Sequence, residues 1–172
     1  MKIKLVVGLG NPGPKYVLTR HNIGRRILEH LEAPPRGVSF LVPESFMNES
    51  GIEVVREARY KNIQAEEILV VSDDFELPLG RFRFRLSGSS GGHNGLQSIL
   101  DAMGTNHVPR FRVGIGPVAE NQDPADFVLE KFKRSDERIV KETIIPKAYD
   151  AVVDAMSKGI EYAMNKYNNI TL

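Results

Sequence analysis

The sequence predicts an α/β protein with a largely parallel or mixed sheet and helices on both of its faces. Short apolar runs typical of strands alternate along the chain with longer segments whose apolar residues recur at helical spacing. One run, residues 68–72, is apolar in all but its last residue, which is typical of a strand buried on both faces. At 172 residues the chain has the length of one domain, so we expect residues 1–172 to form a single domain.

Five segments have the composition of strands. The first, residues 2–9, leads into the turn sequence Asn11-Pro12-Gly13-Pro14, and Pro43 ends the second, residues 38–42. Residues 81–86 alternate arginine with apolar residues, which predicts a half-buried strand with three guanidinium groups on one face. The remaining two predicted strands are residues 68–72 and 110–115.

Helices are predicted between these strands from the spacing of their residues. Thr19 is a candidate N-cap of the first helix, which Pro34-Pro35 ends. Ser135 is a candidate N-cap of a C-terminal helical region that Pro146 and Gly159 interrupt. The residues that share a predicted helix face are, in chain order, Ile23, Ile27, Leu28 and Leu31, then Ile52, Val55, Ala58 and Arg59, then Leu96, Ile99, Leu100 and Met103.

The composition excludes several classes of protein. Cysteine is absent, which excludes a disulfide framework, a thiolate nucleophile and a cysteine-ligated metal, and fits a reducing compartment. No apolar run approaches the roughly 20 residues of a membrane span, and the N-terminal residues lack the pattern of a signal peptide. We therefore expect a cytoplasmic protein without a membrane partner. No two of the four histidines have the i, i+4 spacing of a helical metal site, which disfavours a metal.

The charge distribution is more informative than the net charge of +1. Between residues 81 and 112 the only charged side chains are Asp101 and the arginines Arg81, Arg83, Arg85, Arg110 and Arg112. A chain that is nearly neutral but has a basic middle section is compatible with one basic face, as in nucleic-acid-binding proteins.

Two glycine-rich segments match known sequence motifs. Residues 8–13 have the G-x-G-x-x-G spacing of a dinucleotide site, but Pro12 and Pro14 remove N–H groups that a phosphate would need, which favours a plain tight turn. Residues 88–92 have the G-x-S-x-G spacing of a nucleophile elbow centred on Ser90. His107 is the only later histidine and lies close to Asp101 in the chain, so a glycine-rich loop is favoured over a serine nucleophile.

Several polar residues follow the ends of the predicted strands, where open α/β sheets bind their ligands. They are Asn11 after the first strand, Asn48 beyond the second, Asp73 after the third, His93-Asn94 after the arginine strand, and His21 at the start of the first helix. Each has an ordinary interpretation as a turn or capping residue. Together, a histidine backed by a carboxylate is a general base, and side-chain amides suit peptide groups and a developing oxyanion. With no activated nucleophile, the chemistry that fits is direct attack by water.

The same residues carry a resemblance to the bacterial-type peptidyl-tRNA hydrolase family. The matching segments are residues 7–13, Tyr16, residues 19–24, 46–48, 50–51, 73–74, 77–78, Gly80, and residues 91–96, 112–116 and 163–165. The resemblance implies a single-domain three-layer α/β/α sandwich with a mixed, mostly parallel sheet. It also implies hydrolysis of the ester between the peptide and the 3′-terminal ribose of tRNA, which recycles tRNA from prematurely released peptidyl-tRNA, without a cofactor and as a monomer.

The resemblance also implies a role for individual residues. His21 matches the family's proton acceptor, Asp73 the acid that holds it, and Asn94 a position that orients water or supports the oxyanion. Asn11 matches the residue that recognises the blocked amino group of the substrate. The positions that contact the 3′ end and the peptide are matched by Tyr16, Phe46, Asn48 and Asn94, and the basic positions that grip the acceptor-stem phosphates by Arg85 and Arg112.

Two other functions remain open at this stage. A non-catalytic RNA-binding relative would keep the fold and the basic face, although it would have no use for the His21–Asp73 pair. A serine esterase would use Ser90 as its nucleophile.

Overall fold

The computed structural model describes residues 2–172, and its centre is a 5-stranded sheet in the order β2-β1-β3-β5-β4. The strands are β1 (Leu5–Gly8), β2 (Ser39–Leu41), β3 (Ile68–Pro78), β4 (Phe82–Arg85) and β5 (Arg110–Gly116). β1 pairs in parallel with β2 and β3, β3 pairs in parallel with β5, and only the edge strand β4 is antiparallel to its neighbour. The prediction of a mixed, mostly parallel sheet is confirmed.

Helices cover both faces of this sheet. They are α1 (Ile23–His30), α2 (Ser50–Tyr60), α3 (Asn94–Met103), α4 (Pro124–Leu129), α5 (Arg134–Ile139), α6 (Ile145–Lys158) and α7 (Ile160–Tyr167). Within residues 2–172, none of these helices combines the length and apolar character that a bilayer crossing requires.

The alternation of side chains along the strands separates the apolar core into two layers. Val6, Leu69 and Val71 face one layer together with apolar residues of α1, α6 and α7. Leu5 and Val70 face the other together with apolar residues of α2 and α3. The α/β/α sandwich predicted above is therefore observed.

The arginine-rich strand β4 has the two faces that its alternation predicts. Phe82 and Phe84 are fully buried, and the Phe84 ring stacks on Phe111 of β5 with ring centroids 4.2 Å apart. Arg83 and Arg85 lie on the opposite side, where Arg85 is exposed. This positions the guanidinium groups beside those of β5, because Arg85 is opposite Arg110 and Arg83 is opposite Arg112.

Several helix boundaries differ from the predicted ones. Thr19 is not a side-chain cap: its hydroxyl donates to the Tyr16 carbonyl, and a 3-10 turn at Arg20–Asn22 comes before α1. Ser135 lies inside α5, which begins after Lys133. Pro146 does not interrupt the helical path, because α5, a π-helical turn at Val140–Ile144 and α6 follow one another without a break and Pro146 is the second residue of α6. Gly159, by contrast, does separate α6 from α7.

The predicted buried face of α2 is correct only at Ala58. Ile52 is exposed, whereas Val54 is fully buried and packs against α3 with Ala58. The helix begins at Ser50, and the small residues Ser50 and Gly51 face the core in its first turn. The buried stripe therefore consists of residues 50, 51, 54 and 58, whereas the predicted residues 52, 55 and 59 lie outside it.

Candidate active site

The predicted base and acid meet at the carboxyl end of the sheet. Asp73 lies within β3, the central strand, and His21 lies in the turn Arg20–Asn22 that leads into α1. α1 packs closely on β3 because residue 24 is glycine: a Cβ there would overlap the backbone carbonyl of Val71. This close approach brings His21 onto the Asp73 carboxylate.

His21 and Asp73 form a buried hydrogen-bonded pair. His21 Nδ1–H donates to the carboxylate, at 2.9 Å from Oδ1 and 3.0 Å from Oδ2, and His21 is only 8% exposed. Burial by itself lowers the pKa of His21, but the charge of Asp73 and its hydrogen bond outweigh burial and raise that pKa above the ordinary value. The acid fixes the ring orientation and stabilises the imidazolium, which is the arrangement of a general base.

A second histidine shares the same carboxylate. His93 Nε2 lies 2.8 Å from Asp73 Oδ1, and His93 Nδ1 accepts a hydrogen bond of 3.2 Å from the backbone N–H of Leu96 in the first turn of α3. Burial by itself raises the pKa of Asp73, but His21 and His93 hold that pKa well below its usual range. The sequence placed His93 at a loop–helix junction without a role. Only the N-cap position before α3 was visible there, not the contact with Asp73.

A cavity of about 280 Å³ opens beside this triad. It lies between residues 72–75 in the middle of β3, the glycine-rich loop at residues 88–92 and the start of α4. Its polar lining includes His21, Asp73, His93, Asn94 and Arg112. Asn94, the first residue of α3, is exposed, so its amide is available to a ligand in the cavity.

Arg20 fastens the α4 segment that closes one side of this cavity. Its buried guanidinium donates to the Phe127 carbonyl at 3.1 Å and lies 4.1 Å above the Phe127 ring. The backbone N–H of Arg20 also donates to the Glu130 carbonyl. The segment is therefore held by the residue that directly precedes His21, a contact that sequence inspection did not reveal.

Asn11 is fixed beneath the turn that follows β2. The Asn11 backbone N–H donates to Asn22 Oδ1 at 2.8 Å, and Asn22 Nδ2 donates to the Asn11 carbonyl at 2.9 Å. Asn11 Oδ1 accepts from the Met47 backbone N–H at 2.8 Å. Because Met47 N–H is a donor, the atom facing it must be the oxygen, and the Asn11 Nδ2 donor points elsewhere. No hydrogen-bond acceptor among residues 2–172 engages that nitrogen.

The other predicted peptide contacts surround the same turn, away from the cavity. Tyr16 and Phe46 meet edge to face with ring centroids 6.3 Å apart, and Phe46 is 52% exposed. Asn48 lies in the turn Met47–Glu49 with its side chain exposed. The Glu53 carboxylate accepts from the backbone N–H groups of residues 44 and 45, which fixes the start of this loop. Of the candidate substrate contacts, Asn94 therefore lines the cavity, whereas Asn11, Tyr16, Phe46 and Asn48 are not part of its lining.

The predicted phosphate contacts belong to a cluster of three arginines. Arg85 is exposed at the end of β4, whereas Arg112 lines the cavity, with its guanidinium 2.6 Å from the Asp74 carboxylate. Arg110 between them is almost fully buried, donates only to the carbonyls of Ser89 and Asn106, and forms no ion pair within residues 2–172. Burial, then the charges of Arg112 and Arg85, lower the pKa of Arg110 to about 10. The sequence did not single out Arg110, because β5 alternation alone does not reveal that its charge is buried.

Ser90 lacks the partners that a serine nucleophile needs. Its hydroxyl accepts from the Gly92 backbone N–H, and both nitrogens of the nearby His93 are already engaged. His107 and Asp101, the candidate triad partners, are exposed, and Asp101 binds Gln97 instead. The geometry therefore gives no support to the esterase alternative.

His21, Asp73 and His93 are also the residues that could hold a metal ion, since their donor atoms lie within 4.8 Å of one another. Here, however, the facing atoms are joined by direct hydrogen bonds, and the second nitrogen of His93 caps α3. The arrangement is complete as a proton-bearing network, and we assign no metal to it.

The fold and this site together define a class: an α/β protein with a histidine–carboxylate base at the carboxyl end of its sheet. Comparison with known proteins identifies the family within that class. The model of the peptidyl-tRNA hydrolase family matches residues 5–35 and 30–172. The chain therefore belongs to the peptidyl-tRNA hydrolase family.

Individual relatives agree with this assignment. The chain is 42% identical to the peptidyl-tRNA hydrolase of Elusimicrobium minutum over 187 aligned residues, covering 96% of this chain and 99% of the relative. It is 39% identical to that of Pseudothermotoga lettingae, covering 97% of each. Among solved structures, the peptidyl-tRNA hydrolase of Acinetobacter baumannii has a TM-score of 0.86 at 30% identity, covering 98% of this chain and 96% of that one.

Proposed function

We propose that this protein hydrolyses the ester that joins the peptide of peptidyl-tRNA to the 3′-terminal ribose. The observation that carries the proposal is the buried His21–Asp73 pair beside an open cavity, in a chain that belongs to the peptidyl-tRNA hydrolase family. We further propose that it acts as a monomeric single-domain enzyme in the cytoplasm, that it needs no cofactor, and that it recycles tRNA from prematurely released peptidyl-tRNA.

In the proposed mechanism His21 is the general base. Because Nδ1–H is donated to Asp73, the lone pair of Nε2 accepts a proton from water as that water attacks the ester carbonyl. The negative charge that develops on the carbonyl oxygen is stabilised by the Asn94 amide at the cavity. The imidazolium then returns the proton to the departing ribose oxygen, which releases the tRNA and the free peptide.

We assign recognition of the peptide to the Asn11 side of His21. Asn11 presents an NH₂ donor because its oxygen is occupied by Met47, so it suits the carbonyl oxygen of an acylated amino group. An unblocked aminoacyl group instead presents an ammonium, which only donates and finds no acceptor there. The exposed Phe46 ring with Tyr16, and the Asn48 amide, provide further contacts to the peptide and the 3′ end.

We assign the acceptor-stem phosphates to the arginine cluster, in which Arg85 and Arg112 lie beside the buried Arg110. Three neighbouring cations with two nearby carboxylates, Asp74 and Glu76, leave one positive charge for a phosphate to neutralise. Arg85→Ala and Arg112→Ala should each raise KM for peptidyl-tRNA and reduce the slope of log K against log salt by roughly 0.7 to 0.9. Arg138→Ala, which removes an exposed arginine of α5, is the control. Normal tRNA binding by both variants across a salt titration would assign the stem to another surface.

The decisive experiment compares N-acetyl-aminoacyl-tRNA with unblocked aminoacyl-tRNA as substrates. We expect the blocked substrate to be hydrolysed with a much higher kcat/KM, and Asn11→Ala to reduce this preference. A protein that binds tRNA but hydrolyses neither would be the non-catalytic RNA-binding relative. Hydrolysis that is lost in Ser90→Ala but retained in His21→Ala would instead indicate a serine esterase.

A further inference from the structure

Asp73 is the acceptor for two imidazole rings at once. Its Oδ1 lies 2.9 Å from His21 Nδ1 and 2.8 Å from His93 Nε2. An ionised carboxylate only accepts, so each of the nitrogens that face it carries a proton. The two histidines differ in what their second nitrogen does.

In His93 both nitrogens are committed. Nδ1 accepts the Leu96 N–H at 3.2 Å, so this nitrogen carries no proton, and the ring is held as the neutral tautomer with its proton on Nε2. In His21, by contrast, no group within residues 2–172 forms a hydrogen bond with Nε2, whose lone pair is therefore available. His93 is fixed as a donor, whereas His21 can change its protonation.

We propose that His93 is a positioning residue that shares Asp73 with His21 and thereby limits how strongly this carboxylate stabilises the His21 imidazolium. The proposal rests on the proposed function only in taking His21 as the general base. A hydrogen bond from a second donor spreads the charge of the carboxylate, so less of it is directed at His21. Without that donor, His21 would hold its proton up to a higher pH and would be less often available as a base near neutrality.

The same ring couples the pair to α3. Because His93 Nδ1 caps the first turn, the start of α3 is fixed relative to Asp73, and Asn94 follows directly. A Cβ at residue 95 would overlap the Met47 sulfur, so glycine there lets the start of α3 lie against the turn that contains Met47. His93 thus connects the base and acid to the candidate oxyanion donor.

The other charged groups around His21 are already paired or exposed. On its own turn Arg20 pairs with Glu130 and stacks on Phe127. Across the cavity Asp74 pairs with Arg112. Asp123, the N-cap of α4, is exposed and accepts a hydrogen bond from the Ala125 backbone N–H. A change in the titration of His21 caused by a substitution at residue 93 can therefore be assigned to Asp73.

Two substitutions separate the two contacts of His93. In His93→Asn the side-chain oxygen takes the place of Nδ1, so the cap on Leu96 is kept and the donor to Asp73 is lost. In His93→Gln the side-chain NH₂ takes the place of Nε2, so the donor is kept and the cap is lost. Each variant is the control for the other.

The first test is the pH dependence of kcat/KM for N-acetyl-aminoacyl-tRNA. We expect the midpoint of the acidic limb to rise by about 0.5 to 1 pH unit in His93→Asn. His93→Gln should keep the midpoint of the unsubstituted protein but unfold at a lower temperature. An unchanged midpoint in His93→Asn, or equal shifts in both variants, would overturn the proposal.

The second test needs no activity and uses the unsubstituted protein. Labelling the histidines with ¹⁵N and recording long-range ¹H–¹⁵N spectra across pH reports which nitrogen of each ring is protonated. We expect His93 to carry its proton on Nε2 only, and His21 to titrate at higher pH in His93→Asn than in the unsubstituted protein. A proton on His93 Nδ1 at neutral pH would overturn the proposal. Absence of hydrolysis with these spectra as expected would overturn the proposed function instead.

Discussion

Two aspartates of this protein have pKa values shifted in the same direction by hydrogen-bond donors of different chemistry. Asp73 and Asp154 are both buried, and burial would raise the pKa of each. Hydrogen-bond donors reverse this effect and hold both pKa values well below the usual range. For Asp73 the donors are His21 and His93, whereas for Asp154 they are Lys158, Lys166 and Tyr167.

The difference lies in what the partners can do near neutral pH. The lysines beside Asp154 stay charged there, since their pKa values are raised further by the carboxylate, and the cluster joins α6 to α7 away from the cavity. Of the partners of Asp73, His21 can gain and lose a proton near neutrality, and both histidines line the cavity. A lowered carboxyl pKa therefore indicates a polar network. Such a network is a candidate for proton-transfer chemistry when one of its members can gain and lose a proton near neutral pH.

The largest expected effect comes from removing His21, the proposed general base. His21→Ala should lower kcat/KM for N-acetyl-aminoacyl-tRNA by about 10²- to 10⁴-fold, the usual contribution of a general base, while tRNA binding survives. Single-turnover hydrolysis and a tRNA-binding titration measure the two effects separately. A variant with near-normal turnover would exclude His21 as the base.

Replacing each aspartate in turn tests the comparison directly. Asp73→Asn should impair turnover by a factor similar to or smaller than that of His21→Ala, because the amide no longer stabilises the imidazolium. Asp154→Asn removes the same charge from a network whose lysines are about half exposed and which does not line the cavity, so it should leave kcat/KM unchanged and lower the free energy of unfolding. Parallel kinetics and denaturant titrations check both, and loss of turnover in Asp154→Asn would contradict the distinction.

The pH dependence should follow from the pKa shifts. His21 must be deprotonated to act, and its pKa is raised above 6.5, so kcat/KM should fall about tenfold per pH unit below a midpoint that lies above 6.5. For stability, the contribution of His21 is complete below its unfolded pKa and is lost as pH rises through the raised folded value. The contribution of Asp73 is complete above its unfolded pKa of 3.8 and is lost as pH falls towards the lowered folded value.

Both stability effects are measurable by denaturant titration across pH. The Asp73→Asn variant should lose the decrease in unfolding free energy that protonation of this carboxylate causes below pH 3.8. A midpoint of the activity profile below 6.5 would show that Asp73 does not stabilise the imidazolium in the working enzyme.

The smallest expected effect concerns the second network alone. The Tyr167 side chain is fully buried, and its hydroxyl donates to Asp154 at 2.7 Å. Tyr167→Phe keeps the ring and should lower the free energy of unfolding by about 1 kcal/mol, the typical net value of one hydrogen bond, without changing kcat/KM. A change in the pH profile of hydrolysis would reveal a coupling between the two networks that their separation does not predict.

The order of strands and helices was predictable because it depends on local periodicity. The alternation at residues 81–86 predicted correctly which side chains of β4 are buried, with Phe82 and Phe84 inward. The face of α2 was predicted wrongly at most positions: the choice between Ile52 and Val54 depends on the direction in which the helix leaves Ser50. That direction is set by packing against α3, which the local sequence does not contain.

The candidate site divides in the same way. That His21 and Asp73 lie on one edge followed from the sequence, because the carboxyl ends of parallel strands share an edge, and Asp73 follows the apolar run of the central strand. The tertiary structure decided three further contacts. His93 donates to the same oxygen, the Met47 N–H fixes the orientation of Asn11, and Asp74 pairs with Arg112. Hydrogen bonds and ion pairs depend on distances of a few ångströms between residues far apart in the chain, and only the packed helices and sheet set those distances.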